Sequence, residues 1–240
     1  MSSMRERTFS RTQRKMKLFK KIGVLILILA AFSAGVMSYR AYDMYQDALE
    51  GMPLSSKVEE IRAIENYTTY DELPETYINA VIAVEDKRFD KHNGVDIIST
   101  CRAILLNLKA GELQQGGSTI TQQLARNMYF EQDKDICRKL AEIFVALNIE
   151  KKYSKEEILE LYVNTIYFGS GYYNIYDAAM GYFEKSPSEL NDYECTMLAG
   201  IPQAPSVYSL DANPDLAEQR RQQVIDCMTA EGYIEEGEIN

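Results

Sequence analysis

The order of apolar and polar positions divides the chain into one uncharged stretch and a series of helix-length periodic segments. Ile22 to Tyr39, IGVLILILAAFSAGVMSY, runs 18 residues without a charge. At 1.5 Å per residue this is just enough helix for a hydrocarbon core of roughly 30 Å. Residues 40–70 are more polar and read as a connector. Helical spacing then takes over, with Asp71 near a helix start and Pro74 suited to its first turn. INAVIAVED carries that spacing up to an acid pair, and IISTCRAILLNLK, within Val95 to Ala110, has apolar residues on nearly every side before Gly111. Such a helix is either fully buried or lies against lipid. Ile136 to Lys151 is helical in its spacing too, and Ser154 with Glu157 forms a capping box ahead of ILELYVN. No strand-like alternation rivals these signals. The pattern predicts a mainly α domain over residues 71–235.

Charge sharpens the reading of the N-terminus. Residues 1–21 hold eight Lys or Arg against one acid, so this arm is +7, the remainder is −17, and the total is −10. A nucleic-acid protein does not usually confine its basic block to such an arm, so no nucleic-acid partner is expected. Next to an apolar helix, the positive flank stays in the cytoplasm and everything after Arg40 lies outside. A cleaved signal peptide competes, because Ala31 and Ser33 form an acceptable small-residue pattern. The uncleaved anchor is preferred because the apolar run continues through Val36 and Met37. Both readings export the domain. With 240 residues, 46% hydrophobic and 10% aromatic, the chain can bury one substantial core.

Four cysteines, Cys101, Cys137, Cys195 and Cys227, form no C-x-x-C pair. Two disulfides in three connectivities are open to them outside the membrane. Each falls in a helical segment, where a free cysteine serves as a small apolar side chain, so free thiols are preferred. One histidine and no ligand cluster make a zinc site a poor reading.

The residues with the most chemistry lie in two runs, VEDKRFDKHNG and QQGGSTITQQLARN. The first places Glu85 and Asp86 ahead of the lone His92 and closes on Gly94, a turn or helix end. The second places Gly116 and Gly117 before Ser118, Thr119, Thr121, Gln122 and Gln123, a loop opening a helix, which offers backbone N–H groups to an anion. Taken singly, Glu85 is an ordinary helix-end acid, His92 a hydrogen-bonded structural residue and Phe89 a packing residue. Arg126, Lys134, Arg138 and Lys139 would each be solvated surface charges. Arg126 shares a helix face with Gln122 and Gln123, and Glu142 shares one with Arg138 and Lys139, which alone reads as a salt-bridged helix. The tyrosine-rich YFGSGYYNIYDAAMGYF could line a glycan groove, but Tyr182 and Phe183 are better read as core.

Taken together, and in this order, the runs closely resemble the signature of the peptidoglycan glycosyltransferases, membrane enzymes that polymerise lipid II into glycan strands. The resemblance extends from about Leu73 to Met228, through RKLAEIFVALNIEKKYSKEEILELYVNTIYFG, LAGIPQAPSVYS and NPDLAEQRRQQV. It implies a lysozyme-like helical fold with a membrane-facing lobe. Joining sugars from a diphosphate-activated donor needs a base for the attacking hydroxyl and positive charge for the departing diphosphate. The resemblance gives Glu85 the role of base. It gives Glu142 a second acidic role in positioning the diphosphate, directly or through Mg²⁺ or Mn²⁺; no organic cofactor is expected. Asp86, His92, Gly117, Ser118, Thr119, Gln122, Gln123, Arg126, Lys134, Arg138 and Lys139 become the substrate-binding set.

The family commonly has Lys at the Arg126 position and often Arg at the Lys134 position, so bidentate phosphate geometry moves between the two. The implied partners are lipid II, the lipid-linked nascent glycan, the membrane and proteins of wall synthesis. The chain ends soon after the motifs, so the monofunctional type, without a transpeptidase domain, is expected. Two rivals are a lysozyme-like enzyme that cleaves glycan and a catalytically silent membrane scaffold of wall synthesis.

Overall fold

Local capping signals start most of the helices, and one apolar face of each then decides where it packs. The computed structural model describes residues 2–110, 116–130 and 135–239, with side chains from Lys20 onward except at 104, 107 and 110. Helices α1 (Ser2–Gly51), α2 (Leu54–Arg62), α3 (Glu75–Glu85), α4 (Ile97–Ala110), α5 (Ile120–Tyr129) and α6 (Ile136–Glu150) come first. They are followed by α7 (Lys155–Val163), α8 (Ile175–Phe183), α9 (Asp192–Gly200), α10 (Pro205–Tyr208) and α11 (Pro214–Glu231). No strand occurs among the described residues, in keeping with the mainly α prediction.

α1 is the one helix among the described residues that is long and apolar enough to cross a membrane. Its span from Lys20 to Gly51 reaches a mean hydropathy of 2.2, and none of that apolar window is buried by the rest of the protein. The helix does not stop at the end of the apolar run. Ala41 is fully buried, and Tyr42 and Tyr45 pack their rings at 5.8 and 5.9 Å from Phe144 of α6. The helix that carries the apolar segment is therefore docked on α6.

The 40–70 segment differs from a polar connector. Leu54, Val58 and Ile61 recur at helical spacing and are buried in the core, which makes α2 part of the domain. Arg62 reaches Glu157 at 2.9 Å, and Asn164 both accepts from Thr68 N (2.9 Å) and donates to Thr68 O (2.7 Å). The folded unit accordingly begins before residue 71. Pro74 is the cap of α3 rather than a residue of its first turn, and its carbonyl accepts from Tyr77 and Ile78.

The core runs from α3, wedged between α9 and α11, to α5, which lies on α6 and α7. Phe89 is buried in it, while Tyr182 and Phe183 pack half-buried against it; the Tyr182 hydroxyl donates to Phe168 O at 2.9 Å. All four cysteines are free thiols. Gly94 allows one close approach: at φ +91°, a Cβ there would lie 3.0 Å from Ala146 O, so the loop after α3 lies against the backbone of α6.

Candidate active site

Glu85 is the last residue of α3, which packs along α11, and its side chain meets Gln123 of α5. Its side chain is only 11% exposed, yet it forms part of the wall of a cleft of about 520 Å³ and of an adjoining hollow of about 220 Å³. Gln123 Nε2 donates to its Oε2 at 2.7 Å, and Arg220 Nη2 stands 4.0 Å from Oε1. Burial raises the Glu85 carboxyl above its usual range; the Gln123 hydrogen bond and the charges of Arg220 and Arg126 oppose this, and Asp86 adds to it. A carboxylate so placed is a stronger proton acceptor than one in water.

Gln123 and Arg126 line both the 220 Å³ hollow and a third of about 400 Å³, and Gln203 borders all three. The three form one groove with Glu85 near its middle. Arg138 faces the 400 Å³ end, so two guanidinium groups, Arg126 and Arg138, border the same space. This is the arrangement an anionic group with several oxygens requires.

Several predicted contacts turn inward instead. Asp86 is buried and its Oδ2 accepts from Ile120 N (3.0 Å) and from His92 Nε2 (2.9 Å). His92 Nδ1 accepts from Gly94 N at 3.1 Å, which leaves the proton on Nε2 to donate to Asp86. Lys155 holds the His92 carbonyl at 2.7 Å. His92 thus braces Asp86 and touches none of the three hollows, while Asp86 caps α5 and shows only an edge to the large cleft. Three of the amides at the helix start predicted to face an anion, those of Thr119, Ile120 and Gln122, are engaged within the protein. Thr119 Oγ1 accepts from Gln122 N and Gln122 Oε1 from Thr119 N, a reciprocal cap, and Asp86 takes Ile120 N. Thr119 and Gln122 are both buried, and Thr119 Oγ1 also donates to Gly94 O at 2.7 Å. Gln122 thus belongs to the scaffold, while Thr119 both serves the scaffold and shows an edge to the cleft. Gly117 and Ser118 do border the cleft.

Glu142 shares a helix face with Arg138 and Lys139, as its spacing predicts. It is fully buried, with Oε1 bonded to Arg138 Nη1 and Oε2 to Lys139 Nζ at 2.7 Å. Lys139 Nζ continues to Ser118 Oγ at 2.7 Å, which links Glu142 to the cleft wall that Glu85 shares. Glu142 borders none of the hollows; it holds two cations from behind. With both oxygens engaged it does not fit as a metal ligand, and among the described residues no three of His, Cys, Asp and Glu group as a metal site. Lys134 lies outside the described residues, and with it the comparison between the Arg126 and Lys134 positions.

Arg220 is the site residue that the sequence reading missed. It is buried mid-way along α11, its Nε donates to Gly200 O at 3.3 Å and its Nη1 to Gln223 at 2.9 Å. Burial lowers its guanidinium from the usual value while Glu85 opposes that. RRQQV on a charged helix looks like solvated surface; the available signal was Gly200, where a Cβ would meet Arg220 Cγ at 2.9 Å.

The family described as Transglycosylase matches residues 54–229. Penicillin-binding protein 1F of Bacillus subtilis is 39% identical over 92% of this chain, and penicillin-binding protein 1A of Aquifex aeolicus is 44% identical over 70% of it. The chain spans 32% and 23% of the lengths of those two relatives. A protein of Cupriavidus necator with the provisional name transglycosylase is 40% identical over 90% of this chain and 92% of its own.

Proposed function

Because the chain belongs to the transglycosylase family of peptidoglycan glycosyltransferases, we propose that it polymerises lipid II into β-1,4-linked glycan strands for a bacterial wall. The observation that carries this reading is the position of Glu85: a nearly buried carboxylate in a groove that has guanidinium groups along one side.

In this reading the growing strand, held by its lipid diphosphate, lies toward Arg126 and Arg138, and lipid II occupies the larger cleft between Glu85 and α4. Glu85 accepts the proton of the acceptor 4-hydroxyl as that oxygen attacks the anomeric carbon of the donor. The bond from that carbon to the diphosphate breaks with inversion, and undecaprenyl diphosphate leaves. Arg126 and Arg138 take up the negative charge that grows on the leaving oxygen, and Glu142 keeps Arg138 and Lys139 in position. No step passes through Glu142 as a proton carrier; a divalent ion, Mg²⁺ or Mn²⁺, would be held by the diphosphate rather than by this carboxylate.

The membrane supplies both lipid-linked substrates. α4 exposes Ile97, Ile98, Leu105 and Leu108 on its outer face, while Arg102 and Leu106 of the same helix border the cleft. An apolar face beside the cleft mouth fits a lobe resting in lipid, and α1 fits an anchor whose basic arm stays in the cytoplasm with the domain outside. Proteins of wall synthesis are the partners this placement favours.

The common two-carboxylate route to glycan cleavage would need a second working carboxyl group near Glu85. Asp86 is committed to His92 and the Ile120 amide, and Glu142 to two cations, which weighs against that reading. The test incubates the full-length protein with labelled lipid II and, separately, with purified glycan. Polymer from lipid II by wild type and none by Glu85→Gln is expected; cleavage of glycan without polymer would overturn the proposal, and full polymerisation by Glu85→Gln would remove Glu85 as base.

A further inference from the structure

Beneath Glu85 lies a buried phenol to which the proposed reaction gives no part. Tyr162 of α7 is fully buried, and its hydroxyl donates to Gln123 Oε1 at 3.3 Å. The other end of the same amide, Gln123 Nε2, donates to Glu85 Oε2 at 2.7 Å. An amide is nearly symmetric in shape but opposite in polarity at its two ends. Only one orientation serves both neighbours: reversed, the amide oxygen would face the carboxylate, and the buried hydroxyl would turn to accept from the NH₂ group and lose the acceptor for its own proton.

We propose that Tyr162 is a positioning residue that fixes the orientation of the Gln123 amide, so that a donor rather than an acceptor faces Glu85. This rests on the reading of Glu85 as the base and specifies how its proton affinity is held. The setting is finely opposed. Arg220 from α11 and Arg126 from α5 favour the ionised form of Glu85, whereas burial and Asp86 at the end of α3 favour the protonated one. The phenols Tyr77 of α3 and Tyr162 of α7 also face it, both held neutral by burial. Among these groups Gln123 alone is hydrogen-bonded to Glu85, so the end it presents has direct leverage on when the base is free. With the amide locked, the carboxylate is available at lower pH than burial would allow; with the amide free to turn, protonation extends upward.

The variant is Tyr162→Phe, which keeps the ring that fills the core and removes only the hydroxyl. In the full-length protein with lipid II, the acid limb of the polymerisation rate should move up by roughly half to one pH unit, the scale of one neutral hydrogen bond. The loss should be several-fold on the acid side, smaller at high pH, and in kcat rather than KM. Gln123→Leu should move the limb at least as far, and Tyr162→Phe added to Gln123→Leu should move it no further.

A second measurement does not depend on turnover: pH-difference infrared spectra, with the Glu85 band assigned by its loss in Glu85→Gln, should show the same upward displacement. An unmoved Glu85 titration in Tyr162→Phe, a rate lowered equally at every pH, or additive limb shifts would overturn the proposal. If wild type makes no polymer while the infrared band still moves, the positioning role stands and the reading of function fails.

Discussion

Glu142→Gln tests whether the cationic side of the groove depends on a buried carboxylate. The change is nearly isosteric, so it removes charge with little change in volume. In wild type, Glu142 is fully buried, Arg138 is 15% exposed and Lys139 is 40% exposed. Lys139 can turn to water, so its share of the loss is screened and small. Arg138 can do so only in part: it borders the 400 Å³ hollow, but its Nε is already buried without a partner and Nη1 would lose its charged acceptor. Leaving one side of a buried ion pair typically costs 3–5 kcal/mol; with Lys139 relieved by solvent, about 3 kcal/mol is expected. For a folded unit the size of residues 54–229, about 2–4 °C per kcal/mol applies, which gives a fall in Tm of roughly 6–12 °C. The assay is thermal unfolding of the detergent-solubilised chain followed by circular dichroism.

Pyrophosphate should restore part of the loss in Glu142→Gln and stabilise wild type less, because the variant leaves two cations short of an anion. The ratio of polymerisation rates with and without Mg²⁺ should be the same in both proteins, since Glu142 has no free oxygen for a metal. A Tm within about 1 °C of wild type would refute the reasoning, because it would mean that Arg138 had found another acceptor at no cost.

Three other outcomes are expected. Burial raises the Glu85 carboxyl above its unfolded value, so the folded state holds that proton more tightly and loses stability as pH rises from about 4.5 through the folded pKa. Glu85→Gln should therefore melt above wild type at neutral pH, with the gap closing toward pH 4.5; a gap that widens on acidification would contradict the sign. The chain has no tryptophan, so Leu108→Trp, at a position 74% exposed on the outer face of α4, gives a single reporter. In liposomes its emission should be blue-shifted and quenched by brominated lipid, and water-like emission would refute a lipid-facing α4. Gly94→Ala should cost roughly 1–3 kcal/mol, measured by the same melts, since it combines a positive φ with a 3.0 Å approach to Ala146 O.

How much of this was legible in the sequence depends on the kind of signal each residue leaves. The cap of α7 was readable, since Ser154 with Glu157 marks its start, whereas Thr119 with Gln122, the equivalent box on α5, read as an opening for an anion. The second case also shows why polar density misleads. Thr119, Gln122, Asp86 and His92 looked like a binding surface because they are polar and crowded. Burial turned their donors and acceptors toward one another, since an unpaired polar group inside a protein costs more than its exposed counterpart. α2 was missed for the opposite reason: Leu54, Val58 and Ile61 are a thin apolar stripe in a charged stretch, and only packing against the core makes them decisive. Arg220 left almost no local trace, because its partners Gly200 and Glu85 are distant in sequence.

The inward residues explain why the motif run is long although the reacting groups are few. Lys155 fixes the His92 carbonyl, His92 donates to Asp86, and Asp86 accepts from the first amide of α5. That sequence of bonds ties α7 to the loop after α3 and the loop to the start of α5. Three residues into α5 comes Gln123, the group bonded to Glu85, and three further comes Arg126 on the groove. A helix advances 1.5 Å per residue and 100° in direction, so an error of one residue where Asp86 caps α5 would swing Gln123 off the carboxylate. Asp86→Asn keeps the shape but replaces the charged acceptor of two donors with an amide. Activity should fall through misplacement of Gln123, so that Asp86→Asn costs little more when added to Gln123→Leu, while loss of the Asp86 charge by itself lowers the Glu85 carboxyl. An Asp86→Asn loss that is equally large in the Gln123→Leu background would instead assign Asp86 to the substrate.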